Sequence, residues 1–474
     1  MVVWMPACSR GTGLLGNWRP LTRIDARCDS TRTDPHYSGH RIKSTSSWLD
    51  YDAGLDSKPI RSEMNICMVL VNRYWIRLAI LISVSIGTPT KLVAEYRLED
   101  YRANNYAVPS SKRDLWSITN GVVEARLDNL IAFHSRADQI FTTRPVAKNT
   151  EVSNFIESRQ EIPPISFSLF RKMTVEQWMA SQPVTGLLVL KGNTVLLERY
   201  QYDRSAQDKM LGNSMSKSIV GMLVGIALDE KSIGSIDDLA EKYEPRLKGH
   251  PYGTTTIRSL LTMTSGMSFV ESRDNAELWR RTAGQSMVSR ELESVKYLRQ
   301  RAFAQGQQFN YNSVDTQVLT LVLIAATGKS LSEYMSEKLW KPIGAESPAF
   351  WMTDAAGTES GFVGFNATLR DWGRLGLLLA NRGVVEGKQI ISSKYLAEAQ
   401  AWRPSGYGYH IWLRGKDTEQ ISLLGVRGQS IFVDPVSKIV MVITAARDQE
   451  YSANTPFNTE RDVIWKHVVS HFKK

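Results

Sequence analysis

The segment Leu211-Gly-Asn-Ser-Met-Ser-Lys-Ser-Ile-Val-Gly-Met-Leu-Val-Gly-Ile-Ala-Leu228 decides the fold of this chain. Its apolar second half predicts a buried helix, and Ser214 and Lys217 stand three positions apart where that helix begins. Residues at i and i+3 share one face of a helix, so the hydroxyl and the amine can meet. A serine is activated when a neighbouring base takes its proton, and burial disfavours a lysine ammonium. The pattern therefore predicts a nucleophile beside its base.

The same four residues have a plainer interpretation. Ser214 could cap the helix N-terminus, and the stem of Lys217 could run along apolar surface to reach water. A second serine and lysine at this spacing, Ser470 and Lys473, lie in the polar tail without any such context. The choice between the two interpretations therefore depends on the rest of the chain.

The composition is that of an ordinary globular protein, with 42% hydrophobic and 22% charged residues among 474. This length allows two or three domains, or one large domain in two parts. The net charge of +10 is shared equally between residues 1–94 and the remainder. The larger part contains no long Lys/Arg run with interleaved aromatic residues, so we do not expect nucleic acid as a partner.

All three cysteines, Cys8, Cys28 and Cys67, precede residue 95. The rest of the chain therefore cannot use a disulfide framework, a cysteine-based zinc site or a cysteine nucleophile. It also lacks the His-Glu-x-x-His, P-loop, Gly-x-Ser-x-Gly and Gly-x-Gly-x-x-Gly patterns of other enzyme classes. We expect neither a metal nor a cofactor.

The first 94 residues differ from the rest. Residues 1–63 show no sustained periodicity and are predicted to be a non-native or disordered extension. In residues 64–94, two arginines precede a short apolar run and a small residue, Ala94, as in a secretory signal. This predicts a start at Met64 or Met68 and a periplasmic or secreted product with no membrane span after processing. The alternatives are a membrane anchor or a cytoplasmic protein.

Residues 95–170 give no assignment, but the catalytic region predicted at 171–474 has a clear pattern. Hairpins are expected at 184–200 and 430–444, where apolar strands flank turns at Lys191-Gly-Asn193 and Asp434-Pro435. Helices are expected at 367–380, at 457–473 and through most of 230–350. We predict an α+β fold: a central antiparallel sheet from both chain ends (171–245 and 356–474), flanked by helices, with an inserted mostly helical part (246–355).

Four blocks now occur in order: Asn213-Ser-Met-Ser-Lys-Ser218, Ile257-Arg-Ser-Leu-Leu-Thr-Met-Thr-Ser-Gly266, Phe309-Asn-Tyr-Asn-Ser-Val-Asp-Thr316 and Leu424-Gly-Val-Arg-Gly-Gln429. Together they resemble the serine β-lactamase and penicillin-binding-protein superfamily. The similarity is greatest to the branch of class C β-lactamases, family VIII carboxylesterases and 6-aminohexanoate-dimer hydrolases, and within it to the last group. It covers about residues 180–470.

The resemblance implies a role for each matching position. Ser214 is the expected acylated nucleophile, Lys217 its general base, and Tyr311 the group that passes a proton to the leaving group. The backbone N–H groups of Ser214 and Val426 are the expected oxyanion donors. The residues expected to bind or admit substrate are Ser313, Gly425, Arg427 and Gly428.

Two departures from the family pattern bear on substrate choice. Ser313 stands where the Tyr-x-Asn element has its amide, and Leu423 stands where the Lys-Thr-Gly motif has its lysine. Both argue against efficient β-lactam turnover. We therefore expect a serine hydrolase that cleaves a small amide or ester, of undetermined oligomeric state. The alternatives are a carboxylesterase, a weak β-lactamase or DD-peptidase, and a peptidoglycan-binding relative without turnover.

Overall fold

The computed structural model describes residues 127–169, 171–282, 292–447 and 456–473. All of the described residues belong to one compact unit. The predicted extension at 1–63 and signal-like segment at 64–94 lie outside the described residues.

The central sheet has seven strands, six of which come from the two ends of the predicted catalytic region. In spatial order they are Trp412–Leu413, Ile421–Leu424, Ser430–Asp434, Ile439–Ala445, Val184–Lys191, Thr194–Tyr200 and Ile156–Glu157. All neighbours are antiparallel except the last pair, in which Ile156–Glu157 runs parallel to its neighbour. The predicted sheet and both hairpins are confirmed, and one short parallel edge strand is added to them.

Alternate residues of the sheet bury two separate apolar faces, because successive side chains of a strand point to opposite sides. Leu188, Leu190 and Val440 join the main core, while Leu187, Val189 and Met441 join a second cluster. The helix Leu369–Ala380 lies close against the first face at its glycines. A Cβ at Gly376 would lie 2.5 Å from Val440 Cγ1, so the side chain of any other residue would separate helix and sheet.

Helices cover both faces of the sheet and fill the inserted part. The α-helices are Leu127–Ser135, Ala137–Ile140, Val175–Ser181, Met215–Asp229, Ile257–Leu261, Glu271–Thr282, Glu293–Lys296, Ser313–Thr327, Leu331–Met335, Leu369–Ala380, Ser393–Gln400 and Pro456–Phe472. A π-helical turn spans Ser336–Trp340, and 3₁₀ turns span Ala240–Lys242, Pro245–Leu247 and Val426–Gly428.

A second, four-stranded sheet was not foreseen from the sequence. Its order is Thr143–Val146, Ala349–Met352, Phe365–Thr368 and Lys209–Leu211, all antiparallel. It shortens the helix predicted at 367–380, which begins at Leu369 because residues up to Thr368 pair as a strand. Thr368 then caps the helix by accepting a hydrogen bond from the Asp371 amide. Two further pairs of short antiparallel strands form separate two-stranded sheets. They are Ile165–Ser168 with Arg171–Met173, and Val384–Val385 with Lys388–Gln389.

Within the described ranges, we find no individual helix with both the length and the apolar composition needed to cross a bilayer. One pair, Ser313–Thr327 with Leu331–Trp340, meets those criteria only jointly, and it is bent by 76°.

Candidate active site

The helix Met215–Asp229 presents Ser214 at its start. Thirteen of its residues are buried, so the helix runs through the core rather than along the surface. Ser214 occupies the N-cap position, yet its side chain makes no capping hydrogen bond. Its hydroxyl, which is only half-buried, instead accepts a hydrogen bond of 2.9 Å from Lys217 Nζ. The interpretation of Ser214 as a helix cap is therefore wrong.

Lys217 does not reach water, because its side chain is 1% exposed. Besides Ser214 Oγ, its amine contacts the carbonyl oxygen of Phe362 at 3.0 Å. Burial lowers the pKa of Lys217 from 10.5 to about 8, while the charge of Glu271 raises it. A substantial fraction of the amine is thus neutral near physiological pH, and a neutral amine can accept the serine proton.

Glu271 is the acid of this site, and the sequence interpretation overlooked it. It stands in the first turn of the helix Glu271–Thr282. Its carboxylate accepts two hydrogen bonds from Ser313, one from the hydroxyl at 2.5 Å and one from the amide at 3.1 Å. Burial raises the pKa of this carboxyl, whereas Lys217 and Ser313 lower it. The only sequence signal was an acid shortly after Gly266.

Ser313, expected to bind substrate, is 1% exposed and directs its hydroxyl to Glu271. Its neighbour Asn312 caps the helix Ser313–Thr327, accepting a hydrogen bond from the Val314 amide at 2.9 Å. The two residues therefore fix the start of this helix and the acid beside it. A direct contact between Ser313 and substrate stays a prediction.

Tyr311 lies beside the serine–lysine pair. Lys217 Nζ is 5.1 Å from the centre of the Tyr311 ring. The ring stacks on Trp412 at 5.7 Å between centroids and meets Tyr407 edge-on. Tyr311 precedes the helix-capping Asn312, so both the helix start and the aromatic neighbours hold its ring in place. The structure thus brings Ser214, Lys217 and Tyr311 together.

The turn Val426–Gly428 packs against the residues immediately before the nucleophile. A Cβ at Gly425 would lie 2.4 Å from the Gly212 carbonyl oxygen, so only glycine permits this approach. Asn213 Nδ2 donates a hydrogen bond of 3.0 Å to the Val426 carbonyl. Within the part of the chain that the structure describes, neither the Ser214 nor the Val426 amide N–H has a hydrogen-bond acceptor. Two available donors therefore lie on adjoining segments.

Arg427 and Gly428 support this turn from inside. Arg427 adopts a positive φ of 63°, and its buried guanidinium donates to the Arg447 carbonyl at 2.8 Å. Gly428 has a φ of 97°, a conformation that favours glycine. The Arg427 side chain is only 4% exposed, and a contact between its charge and a substrate stays a prediction. Leu423 is itself fully buried.

His410 lies among aromatic residues near the nucleophile. Its ring is 6.2 Å from the Tyr407 ring, and its backbone has a φ of 56° outside any strand. Its Nε2 is 3.0 Å from Thr316 Oγ1, and burial together with the charge of Lys217 lowers its pKa to about 3. We find no hydrogen bond joining it to Ser214 among the described residues, so this geometry does not support His410 as the base of Ser214.

Comparison with known proteins identifies a matching family. The beta-lactamase family model matches residues 172–460, which is more than half of the chain. The 6-aminohexanoate-dimer hydrolase of Paenarthrobacter ureafaciens is 26% identical over 294 residues, covering 56% of this chain and 74% of that protein. An uncharacterised protein of Alkalihalophilus pseudofirmus is 25% identical over 203 residues, covering 38% and 51% of the two chains.

Solved structures share the fold. A provisionally named 6-aminohexanoate-dimer hydrolase from Bacillus anthracis has a TM-score of 0.68 at 21% identity, covering 77% of this chain and 98% of that one. A provisionally named beta-lactamase from Bacteroides dorei has a TM-score of 0.51 at 18% identity, covering 63% and 96%. The predicted resemblance, including that to 6-aminohexanoate-dimer hydrolases, is confirmed. The chain belongs to the beta-lactamase family and has the α+β fold of its serine hydrolases.

Proposed function

We propose that this protein hydrolyses an amide or ester bond of a small substrate through an acyl-enzyme on Ser214. The observation that carries the proposal is the 2.9 Å contact between Ser214 Oγ and the amine of Lys217, whose pKa burial lowers to about 8. A surface lysine would keep its proton at neutral pH and could not act as a base. Ser214 is only half-buried, which is compatible with the approach of a substrate carbonyl.

In the first step, Lys217 accepts the Ser214 proton while Oγ bonds to the carbonyl carbon. The Ser214 and Val426 amides donate to the oxyanion that forms. When this intermediate collapses, the bond to the leaving amine or alcohol breaks. The leaving group takes up the proton held by Lys217, relayed through Tyr311, and leaves the acyl chain on Ser214.

In the second step, water attacks the acyl carbon. Tyr311 and Lys217 accept the water proton, the bond between the carbonyl carbon and Ser214 Oγ breaks, and the proton returns to Ser214. Acid and free hydroxyl are regenerated, so no other reactant is needed. The aromatic group of Tyr311, Tyr407 and Trp412 offers an apolar wall beside the reacting atoms.

Replacing Ser214 tests the nucleophile. Ser214→Ala should lower hydrolysis of p-nitrophenyl esters by a factor on the order of 10³ or more, because no oxygen remains to be acylated. A serine-directed fluorophosphonate should label Ser214, as shown by peptide mass spectrometry. The matched control is Ser216→Ala, which removes a hydroxyl that only accepts a hydrogen bond from the Phe365 amide. Near-normal turnover by Ser214→Ala, or a label on Ser216, would refute the assignment.

A substrate panel tests the bond class. β-Lactam turnover requires a cation for the substrate carboxylate, and Leu423 occupies the position where the family has lysine. We expect kcat/KM for short esters or linear amides, including the 6-aminohexanoate dimer, to exceed that for nitrocefin by at least about tenfold, or roughly 1.4 kcal/mol. Ester turnover without amide turnover would favour a carboxylesterase. A preference for nitrocefin would contradict the proposal and would indicate another cation in the site.

A further inference from the structure

The helix Leu127–Ser135 lies outside the residues that match the family model, yet it reaches the neighbourhood of the nucleophile. Its His134 side chain is 1% exposed. His134 Nδ1 is 2.7 Å from the Leu130 carbonyl oxygen, one turn earlier in the same helix. The other ring nitrogen, Nε2, is 3.2 Å from Nδ2 of Asn213, the residue directly before Ser214.

The hydrogen-bonding partners fix where the proton lies. The Leu130 carbonyl can only accept, so His134 Nδ1 carries the hydrogen, and Nε2 of the neutral ring is left as an acceptor. Asn213 Nδ2 has two hydrogens, and its second neighbour, the Val426 carbonyl at 3.0 Å, also only accepts. The Asn213 amide therefore donates one hydrogen to the imidazole and the other to the Val426 carbonyl, so it joins His134 to the turn Val426–Gly428.

The surroundings keep this arrangement neutral and fixed. Burial and the charge of Arg427 lower the pKa of His134 to about 3, so the ring stays unprotonated across the ordinary working range. The same helix is tied down next to His134, because Arg204 donates to Ser135 Oγ at 2.8 Å. Asn213 itself has a φ of 48°, a conformation that asparagine tolerates better than most residues.

We propose that His134 is a positioning residue for the oxyanion site: it holds the Asn213 amide, which holds the Val426 carbonyl and so orients the Val426 turn against Ser214. In this proposal the helix Leu127–Ser135 contributes a residue that supports the active site. This inference rests on the proposed function, because the turn matters to catalysis only if Ser214 is acylated. It also assigns a role to the segment that the sequence left without one.

The kinetics of three variants test whether His134 acts on the Val426 turn through Asn213. His134→Phe keeps a flat ring without an acceptor and should lower kcat for a p-nitrophenyl ester at least tenfold, with KM within twofold of wild type. His134→Gln places an amide oxygen near the position of Nε2 and should restore most of that loss. Gln139→Ala, an exposed residue of the following helix Ala137–Ile140 that makes no bond to Asn213, should behave as wild type. A circular dichroism melt confirms that each variant is folded.

A double variant separates positioning from general destabilisation. If His134 acts through Asn213, adding His134→Phe to Asn213→Ala should cause less than a twofold further loss of kcat, since coupled residues are not additive. Fully additive losses, a defect confined to KM, or unchanged kcat in His134→Phe would overturn the proposal.

A readout independent of turnover keeps the inference testable if the proposed function fails. In ¹⁵N NMR of the whole protein, the His134 ring, identified by its loss in His134→Phe, should show the neutral Nδ1–H tautomer from pH 8 to pH 5. Its Nε2 resonance should shift in Asn213→Ala. If the wild type neither hydrolyses esters nor is labelled at Ser214, the proposed function is wrong. If His134 titrates near pH 6.5 or ignores Asn213→Ala, the hydrogen-bonded link is wrong.

Discussion

At Lys217, two opposing effects set the pKa of the amine. Removal from water disfavours the ammonium, while the Glu271 carboxylate favours it, and the first effect is larger because the side chain is almost completely buried. With a pKa of about 8, the neutral fraction of Lys217 rises with pH through that value. If Lys217 is the base, kcat/KM should fall about tenfold for each pH unit well below 8.

Glu271→Gln tests this balance. Glutamine can still accept one of the two Ser313 hydrogen bonds, but it carries no charge to stabilise the Lys217 ammonium. The pKa of Lys217 should therefore fall further, and the acid limb of the kcat/KM profile should move to lower pH in assays from pH 5.5 to 9.5. Asp274→Asn on the same helix, where the aspartate pairs with exposed Arg273, serves as control. An acid limb that stays in place or moves to higher pH would contradict this account.

At the scale of secondary-structure elements, the site depends on how closely the strand Ile421–Leu424 and its following turn approach the start of the helix Met215–Asp229. Gly425 permits that approach because it has no side chain, and its φ of −126° is open to any residue. The geometry at this point is therefore limited by contact with Gly212 and Asn213, not by backbone strain.

Gly425→Ala should push the turn away from the nucleophile. The added methyl would lie 2.4 Å from the Gly212 carbonyl oxygen and 3.1 Å from Asn213 Cβ, and a backbone atom cannot rotate away. We expect kcat/KM for an ester to fall at least about tenfold, since oxyanion donors act only at close range. Gly234→Ala in an exposed loop is the control, because its methyl would meet only the ends of side chains, the nearest being Asp238 Oδ2 at 3.2 Å. Wild-type turnover by Gly425→Ala would show that the turn can shift freely.

For the whole molecule, the buried histidines link stability to acid. His410 is fully enclosed, and its folded-state pKa of about 3 lies below the value near 6.5 of an unfolded chain. A group whose pKa is lowered by folding contributes stability that is complete above the unfolded pKa. That contribution is lost as pH falls below about 6.5, because only the unfolded state then binds the proton.

His410→Asn removes this proton-binding site, and asparagine tolerates the φ of 56°. Between pH 7.5 and pH 5, the wild type should lose about 2 kcal/mol more unfolding free energy than this variant. Urea denaturation at both pH values measures the difference. Equal losses in wild type and His410→Asn would mean that His410 is protonated in the folded state too.

The local features of this chain were predictable because their causes are local. The apolar run after Lys217 predicted a buried helix, and the alternation around Lys191-Gly-Asn193 and Asp434-Pro435 predicted both hairpins. Ser214 and Lys217 are three residues apart, and helix geometry alone places side chains at that spacing on one face. Recognition of the four blocks then predicted the family and a fold built from both chain ends.

Tertiary structure decided what depends on distant segments. The second sheet joins Thr143–Val146 to strands more than 200 residues later, and no local pattern encodes such pairings. Glu271 enters the site through Ser313, and His134 through Asn213, both across long sequence separations. The low pKa of Lys217 likewise requires that the folded chain exclude water around it. Sequence determined which groups could react, and packing determined which charges and donors surround them.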